Sequence, residues 1–275
     1  MKVFILGAGK VGRALAHAIR AAGWQAVLRA ARKGLPRAAV DADLVVLAVR
    51  DRDLGPLATA LAEKRLVPRR AVCVHVSGAL EAAPLAPLRA VCAGIAQMHP
   101  MISFASLTRF PGLARGNVRI EGDPRAVARA RSLARKLGMT PRTISGLDTV
   151  GYHAAAGLVA NGAAALAAVG AELLVLSGVS KTDAPRLLGP LLRSVAENVE
   201  ALGFPSALTG PVRRGDAAGL AKHLATLRVR LPSAVPLFLA SARAQLPLAR
   251  AIGDAPREAL ADLEAWLAME EGQLA

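Results

Sequence analysis

Met1–Gly12 reads MKVFILGAGKVG. Lys2–Leu6 is a short apolar run rich in strand-forming residues, and Gly7, Gly9 and Gly12 follow it directly in the spacing G-x-G-x-x-G. From Val11 to Ala22, apolar residues recur at Val11, Leu15, Ala18, Ile19 and Ala22, with Arg13, His17 and Arg20 between them, which is the period of a helix. Strand, glycine turn and helix in this order give the glycine spacing a physical meaning. Gly7 permits the tight turn, Gly9 lets a pyrophosphate approach the backbone, and Gly12 lets the helix pack against the strand. The helix N-terminus adds unpaired N–H groups and partial positive charge. The stretch predicts a dinucleotide-binding turn, with Gly7, Gly9, Lys10, Val11 and Gly12 around the cofactor and Val49 joining them from a later strand end.

Gln25–Leu28 reads as the second strand. About twenty residues beyond the last glycine, NAD-binding folds carry an acidic residue for the ribose hydroxyls. This chain has Arg29-Ala30-Ala31-Arg32-Lys33 instead. A guanidinium pairs with a 2′-phosphate that a carboxylate would repel. NADP(H) is therefore the expected cofactor, with Arg32 the leading contact and Arg29 and Lys33 assisting. The alternative is that these are ordinary loop charges.

Asp43–Val49, DLVVLAV, is a continuous apolar run of the kind that parallel sheets bury. Ala71–Val76, Gly94–Met98, Val118–Glu121 and Arg142–Ile144 continue the strands. Leu54–Glu63, with Asp53 as a candidate cap, and Pro124–Leu137 are helices among them. Alternating strands and helices predict an α/β, doubly wound parallel sheet of Rossmann type over residues 1–146. From about Leu147 the pattern turns helical: Thr149–Leu176, Thr182–Leu202, Asp216–Arg228, Ser233–Leu246 and Pro256–Met269, with Thr182 and Asp254 as candidate caps. Residues 147–275 are thus expected to form an all-α domain for substrate binding and dimerisation. The first of these helices is apolar nearly all round. Asn161 and Glu172 interrupt it and no basic flank orients it, so a helix covered by neighbours, including those of a second subunit, is expected rather than a membrane span. A homodimer follows from that expectation.

The 275 residues carry a net charge of +15, yet the arginines are spread through most segments with no basic block interleaved with aromatics. The charge favours anionic small molecules over nucleic acid. Cys73 and Cys92 stand far apart, in no metal or redox spacing, and point to a reducing, cytoplasmic setting without a metal site. Met1–Gly9 is too short for a signal sequence and is broken by glycine.

Four further strings occur in order: HVSGAL (His75–Leu80), MHPMISF (Met98–Phe104), YHAAAGLVAN (Tyr152–Asn161) and ALTGPVRRGD (Ala207–Asp216). With them the chain resembles a family of proteins with an N-terminal Rossmann-like domain and a C-terminal helical domain of unknown function. That family is related to pyrroline-5-carboxylate reductases and β-hydroxyacid dehydrogenases, and some members are similar to non-classical ketopantoate reductases. The resemblance implies a Rossmann fold and a nicotinamide cofactor. One departure stands out. The β-hydroxyacid dehydrogenases place a catalytic Lys and an Asn about four residues apart on the first helix of the second domain, whereas this helix offers Tyr152, His153 and Asn161 and no Lys.

Carbonyl reduction needs a hydride donor and a proton donor at the oxygen. Ser77 and His99 each follow a strand, at the edge where ligands of such sheets bind. His153 and Asn161 lie on the helix expected to cross that edge. His153 is the expected proton donor, with Ser77 and Asn161 orienting the substrate oxygen and His99 the rival donor. Each has a structural alternative: Ser77 closing a turn, His99 packing its ring, His153 capping a helix, Asn161 satisfying buried backbone. Thr209 and Arg214 are candidate substrate contacts, Arg214 either holding a carboxylate or pairing with Asp216. The expected function is NADPH-dependent reduction of a small oxo-acid, ketopantoate-like, or of an imine. The alternative is a dinucleotide-binding regulator without catalysis.

Overall fold

The apolar strand runs assemble into one seven-stranded sheet in the order β2-β1-β3-β4-β5-β6-β7. In this computed structural model, which describes residues 1–273, the strands are β1 (Lys2–Leu6), β2 (Gln25–Arg29), β3 (Leu44–Leu47), β4 (Val72–His75), β5 (Ile95–Pro100), β6 (Asn117–Gly122) and β7 (Thr140–Arg142). The helices between them are α1 (Lys10–Ala21), α2 (Asp51–Glu63) and α3 (Pro124–Lys136), with 3-10 segments at Ala31–Lys33 and Ala83–Ala90. Side-chain alternation along the strands sends Val3, Ile5, Val46, Val74, Ala96 and Met98 to one face, beneath α1 and α3. Phe4, Leu6, Val45, Leu47, Cys73 and Ile95 go to the other, beneath α2 and the Ala83–Ala90 segment. The chain turns from β1 to β2 on one side and to β3 on the other, so the carboxyl ends of β1 and β3 flank the topological switch point.

One expectation needs correcting. The sheet is not parallel throughout: β6 runs antiparallel to β5, with Met98 opposite Ile120 and His99 opposite Arg119, and β7 runs parallel to β6. Residues 101–116 contain no crossover helix, so the chain returns alongside β5 in the reverse direction. Asp53 also differs from its expected role. The helix begins at Asp51 and Asp53 lies inside its first turn. The two cysteines, remote in sequence, meet beneath the sheet. A hydrogen bond between the thiols, together with burial, pushes Cys73 up, and the same bond pulls Cys92 down. Both are free thiols.

The chain divides into two compact units, the first ending at Ala160 and the second beginning at Asn161, so the division falls within α4 (Thr149–Leu176). The second unit continues through α5 (Ala184–Leu202), α6 (Ala217–Arg230), α7 (Val235–Ile252) and α8 (Arg257–Gly272). Its core is built at helical spacing: Leu220, Leu224 and Leu227 on α6, Leu239, Ala242, Leu246 and Ala249 on α7, and Leu260, Leu263 and Leu267 on α8. Asp216 caps α6 by accepting a 2.8 Å bond from the Gly219 N–H, as its position before the helix suggests. Thr182 and Asp254 do not cap, because α5 and α8 start from Asp183 and Pro256. The α4 helix has the length and apolarity of a membrane span, and none of its most apolar window is buried within the chain. Val169 and Leu173 of α4 pack against the core of α6, α7 and α8, while Leu158, Val159 and Leu166 stay exposed, so the chain by itself covers the helix only in part.

Candidate active site

Gly7, buried at the end of β1, takes a φ of +122°, and a Cβ there would overlap the Ala48 carbonyl. A Cβ on Gly12 would overlap the Gly7 carbonyl oxygen. These two glycines are explained by close packing of strand and helix. Gly9 is not: its φ of −74° suits any residue, and nothing of the protein lies within 4 Å of where its Cβ would be. That open space is a cavity of about 700 Å³ lined by Gly7–Val11, Arg32, Ala48–Asp51, Val76, Ser77, Phe104 and Leu107, among others. No side chain caps α1, and no acidic residue sits in its first turn. The N-terminal N–H groups therefore keep their positive field for an anion. An open glycine backbone, an uncapped helix and Arg32 fit a dinucleotide phosphate.

Arg32, Lys10, Val11 and Val49 line this cavity, but Arg29 does not. Its guanidinium donates to the carbonyls of Lys33 and Gly34, both at 2.8 Å, and of Leu35 at 3.0 Å. Arg29, expected to assist Arg32 at the phosphate, therefore holds the loop that presents Arg32. Lys33 is exposed, outside the cavity lining. Asp51, a lining carboxylate that the glycine motif gives no hint of, also acts electrostatically on His99.

Beyond Ser77 the cavity edge becomes a site with proton-transfer groups. His75 is fully buried: its Nε2 shares a 2.7 Å hydrogen bond with the Glu81 carbonyl, and its Nδ1 accepts from the Ser77 N–H at 3.2 Å. Burial lowers its pKa. Gln97 donates to the Ser77 carbonyl at 2.9 Å, and the Ser77 hydroxyl accepts from the Ala79 N–H at 3.3 Å. The turn after β4 is thereby fixed at both ends. Gly78, next in line, is where two histidines converge. A Cβ there would collide with His153 Nδ1 and stand 2.7 Å from His99 Nε2. The two rings lie edge to face with centroids 5.7 Å apart, and Tyr152 packs at 5.8 Å on His99. Burial, then the charges of His153 and Arg119, bring the His99 pKa down to about 4. His99 is thus neutral at physiological pH, while His153 is exposed beside it.

The structure therefore brings Ser77, His99 and His153 around one glycine. Asn161, Thr209 and Arg214 are found in the second unit, where Thr209 and Arg214 are exposed. The neighbouring Arg213, not Arg214, is the structural cation: it binds Asp254 at 2.7 Å through Nε and the Leu208 carbonyl at 2.8 Å. Asp216 is engaged as a cap, and no arginine pairs with it among the described residues. Arg119, like Asp51, escaped the sequence reading, and Tyr152 was named there without a role. The strand alternation of β6 could have signalled Arg119, which falls on the same face as His99 opposite it. A second cavity of about 590 Å³ is lined by Arg69, Arg70, Arg125 and Arg129 without any histidine, so it gathers charge but no group suited to moving a proton at neutral pH.

A Rossmann-like domain matches residues 29–100 and a domain of unknown function, DUF2520, matches residues 117–245. The second match begins at β6, within the sheet. No curated protein matches the sequence significantly. Among solved structures, the fold is similar to a "putative NADP oxidoreductase" of Bacteroides fragilis (TM-score 0.68, 21% identity, covering 89% of this chain and 97% of that one). It is also similar to a Thermotoga maritima protein (0.62, 22%, 90% and 98%). A third is the pyrroline carboxylate reductase of Plasmodium falciparum, solved with NADP bound (0.57, 16%, 89% and 98%). Over these two stretches the chain is similar, in this order, to a Rossmann-like domain and to the DUF2520 domain.

Proposed function

We propose that the protein is an NADPH-dependent reductase of a small carbonyl or imine compound, with ketopantoate-like oxo-acids and cyclic imines as the leading substrate classes. The observation that carries this reading is the adjacency of Ser77 and Gly78. Ser77 lines the cavity of the glycine turn, and Gly78 lies against both histidines. A cofactor cavity and an acid–base pair thus share one short turn. The resemblance to reductases of known fold supports the same reading, since one was solved with NADP bound and another is an imine reductase of Streptomyces aurantiacus.

Bound NADPH supplies a hydride. The chain's own residues do the rest. Gly7–Val11 and the N-terminus of α1 bind the pyrophosphate, and Arg32 selects the 2′-phosphate. Ser77 orients the substrate oxygen or nitrogen through its hydroxyl, whose O–H has no acceptor among the described residues. His153 delivers the proton, because His99 holds too little of it at neutral pH. His99 instead fixes the His153 ring by edge-to-face contact. Asn161, Thr209 and Arg214, all in the second unit, remain candidate substrate contacts. The protein works as a cytoplasmic homodimer on small molecules, without a nucleic-acid or membrane partner; its two adjacent free thiols suit a reducing compartment.

The test is NADPH consumption against a panel of oxo-acids and cyclic imines, followed by His153→Ala on the best substrate. We expect kcat to fall about a hundredfold with NADPH affinity unchanged. An unimpaired His153→Ala beside a crippled His99→Ala would move the proton donor to β5. A silent panel with NADPH still bound would favour the regulatory alternative.

A further inference from the structure

Four buried side-chain atoms at the site have no hydrogen-bond partner among the described residues: Gln97 Oε1, His99 Nδ1, and Arg119 Nε and Nη1. They share one face of two neighbouring strands. His99 stands opposite Arg119 in the β5–β6 register, and Gln97 stands opposite Glu121. Arg119 is 2% exposed, the largest fully buried side chain among the described residues. Its Nη2 reaches Glu121, whose side chain is half open to solvent. The other two nitrogens have no acceptor among the described residues. A guanidinium stays charged at any physiological pH, and a buried cation with idle donors is costly unless something accepts from them. Folding stability gives no reason to hold it there, since a methionine would fill the same volume without that cost. The Tyr152 ring is centred 6.0 Å from the guanidinium carbon and packs on His99, whose Nε2 lies beside Gly78.

We propose that Arg119 is the substrate-binding cation of this site and takes a carboxylate. This rests on the reductase reading and narrows it to substrates that carry an acid group next to the reducible carbonyl or imine. The carboxylate accepts hydrogen bonds from Arg119 Nε and Nη1 after rotation of the half-buried Tyr152 ring. The reducible carbon, one bond away, then lies on the histidine side, because His99 and Arg119 are direct cross-strand neighbours. Glu121 competes with the ligand for the same guanidinium and keeps its charge partly balanced when the site is empty of substrate.

The experiment titrates the whole protein, with and without NADP⁺, with 2-oxoisovalerate, 2-oxobutyrate and 1-pyrroline-2-carboxylate and with the methyl ester of each. Binding is read from the histidine imidazole resonances. The acids are expected to bind at least tenfold more tightly than their esters, and Arg119→Gln is expected to erase the difference. Glu121→Gln changes a partly exposed side chain and keeps the fold. It should tighten the acids severalfold by removing the competing carboxylate, so the proposal stays testable if Arg119→Gln does not fold. Equal binding of acids and esters, or a Glu121→Gln variant with unchanged acid affinity, overturns the proposal and leaves Arg119 as a structural cation solvated by buried water. NADPH oxidation is followed in parallel. Acid-selective binding without turnover would sink the reductase reading and keep the carboxylate site; turnover of acids and esters alike would do the reverse.

Discussion

Gly9 and Gly12 belong to one motif but answer to different causes, which makes them separable by substitution. Gly12→Ala drives a Cβ into the Gly7 carbonyl oxygen, a backbone atom that cannot give way. Its predicted cost is about 3 kcal/mol or more, seen as a large drop in the denaturation midpoint. Gly9→Ala meets open space. Its stability should change by no more than about 1 kcal/mol, the cost of a poorer N-cap, while NADPH affinity falls sharply. Equal loss of stability in both variants would contradict the assignment of that space to a ligand. His99 provides a second test at this scale. Its folded pKa of about 4 lies below the ordinary imidazole value of about 6.5, so the unfolded chain takes up the proton first. Stability from this group is complete above pH 6.5 and is lost as pH falls towards 4, by up to about 3 kcal/mol. His75, also lowered, adds a slope of the same sign. Unfolding titrations of His99→Gln should therefore show a shallower decline between pH 6.5 and 4 than the native chain.

At the scale of elements, the 3-10 segment after β2 shows how a loop becomes a specificity device. Arg29 ties the loop to itself through three carbonyls and leaves Arg32 at the cavity. Arg32→Ala is predicted to weaken NADPH by about 2–3 kcal/mol, the value of a charge-assisted pair of bonds, and NADH hardly at all. Arg29→Ala should weaken both cofactors modestly and make the loop more sensitive to proteolysis, since it frees a segment rather than removing a contact. Fluorescence titration with the two nucleotides separates these outcomes. Equal affinity of the native chain for NADH and NADPH would end the NADP assignment. The motif and the run of cations were legible in the sequence, but the strand ends only to within about two residues: His99, read as following a strand, lies inside β5, and the last strand forms at Thr140–Arg142 rather than Arg142–Ile144. Which arginine holds the loop and which faces the cavity was not, because that depends on the direction each side chain takes from a bent backbone.

For the whole molecule, the question is what covers the apolar surface of α4 and α5. Leu187, Leu191, Val195, Val199 and Leu202 recur along α5 at helical spacing and are exposed, and Leu158, Val159 and Leu166 are exposed on α4. Such a stripe on an isolated chain is an interface in waiting, and a second copy carries the same stripe, as a two-fold interface needs. The protein is predicted to sediment at twice its 28.3 kDa chain mass at micromolar concentration. Leu187→Glu with Leu191→Glu should return it to the monomer, because both charges would be buried without partners. A native chain that sediments as a monomer defeats the dimer.

The sequence alone determined the order and type of the elements, since periods of two and 3.6 are local properties of the chain, and α4 was read to the same residues that form it. It also determined the glycine turn, because that motif is a run of neighbours. Tertiary structure alone decided that β6 reverses, that Cys73 meets Cys92, and that Arg119 lies across from His99. Strand direction follows from where a connection lets the chain return, and strand pairing joins residues eighteen or more positions apart whose spacing leaves no periodic trace. The candidate site is therefore half visible in the sequence: its histidines mark the ends of elements, and the buried cation beside them comes into view only through the register of the sheet.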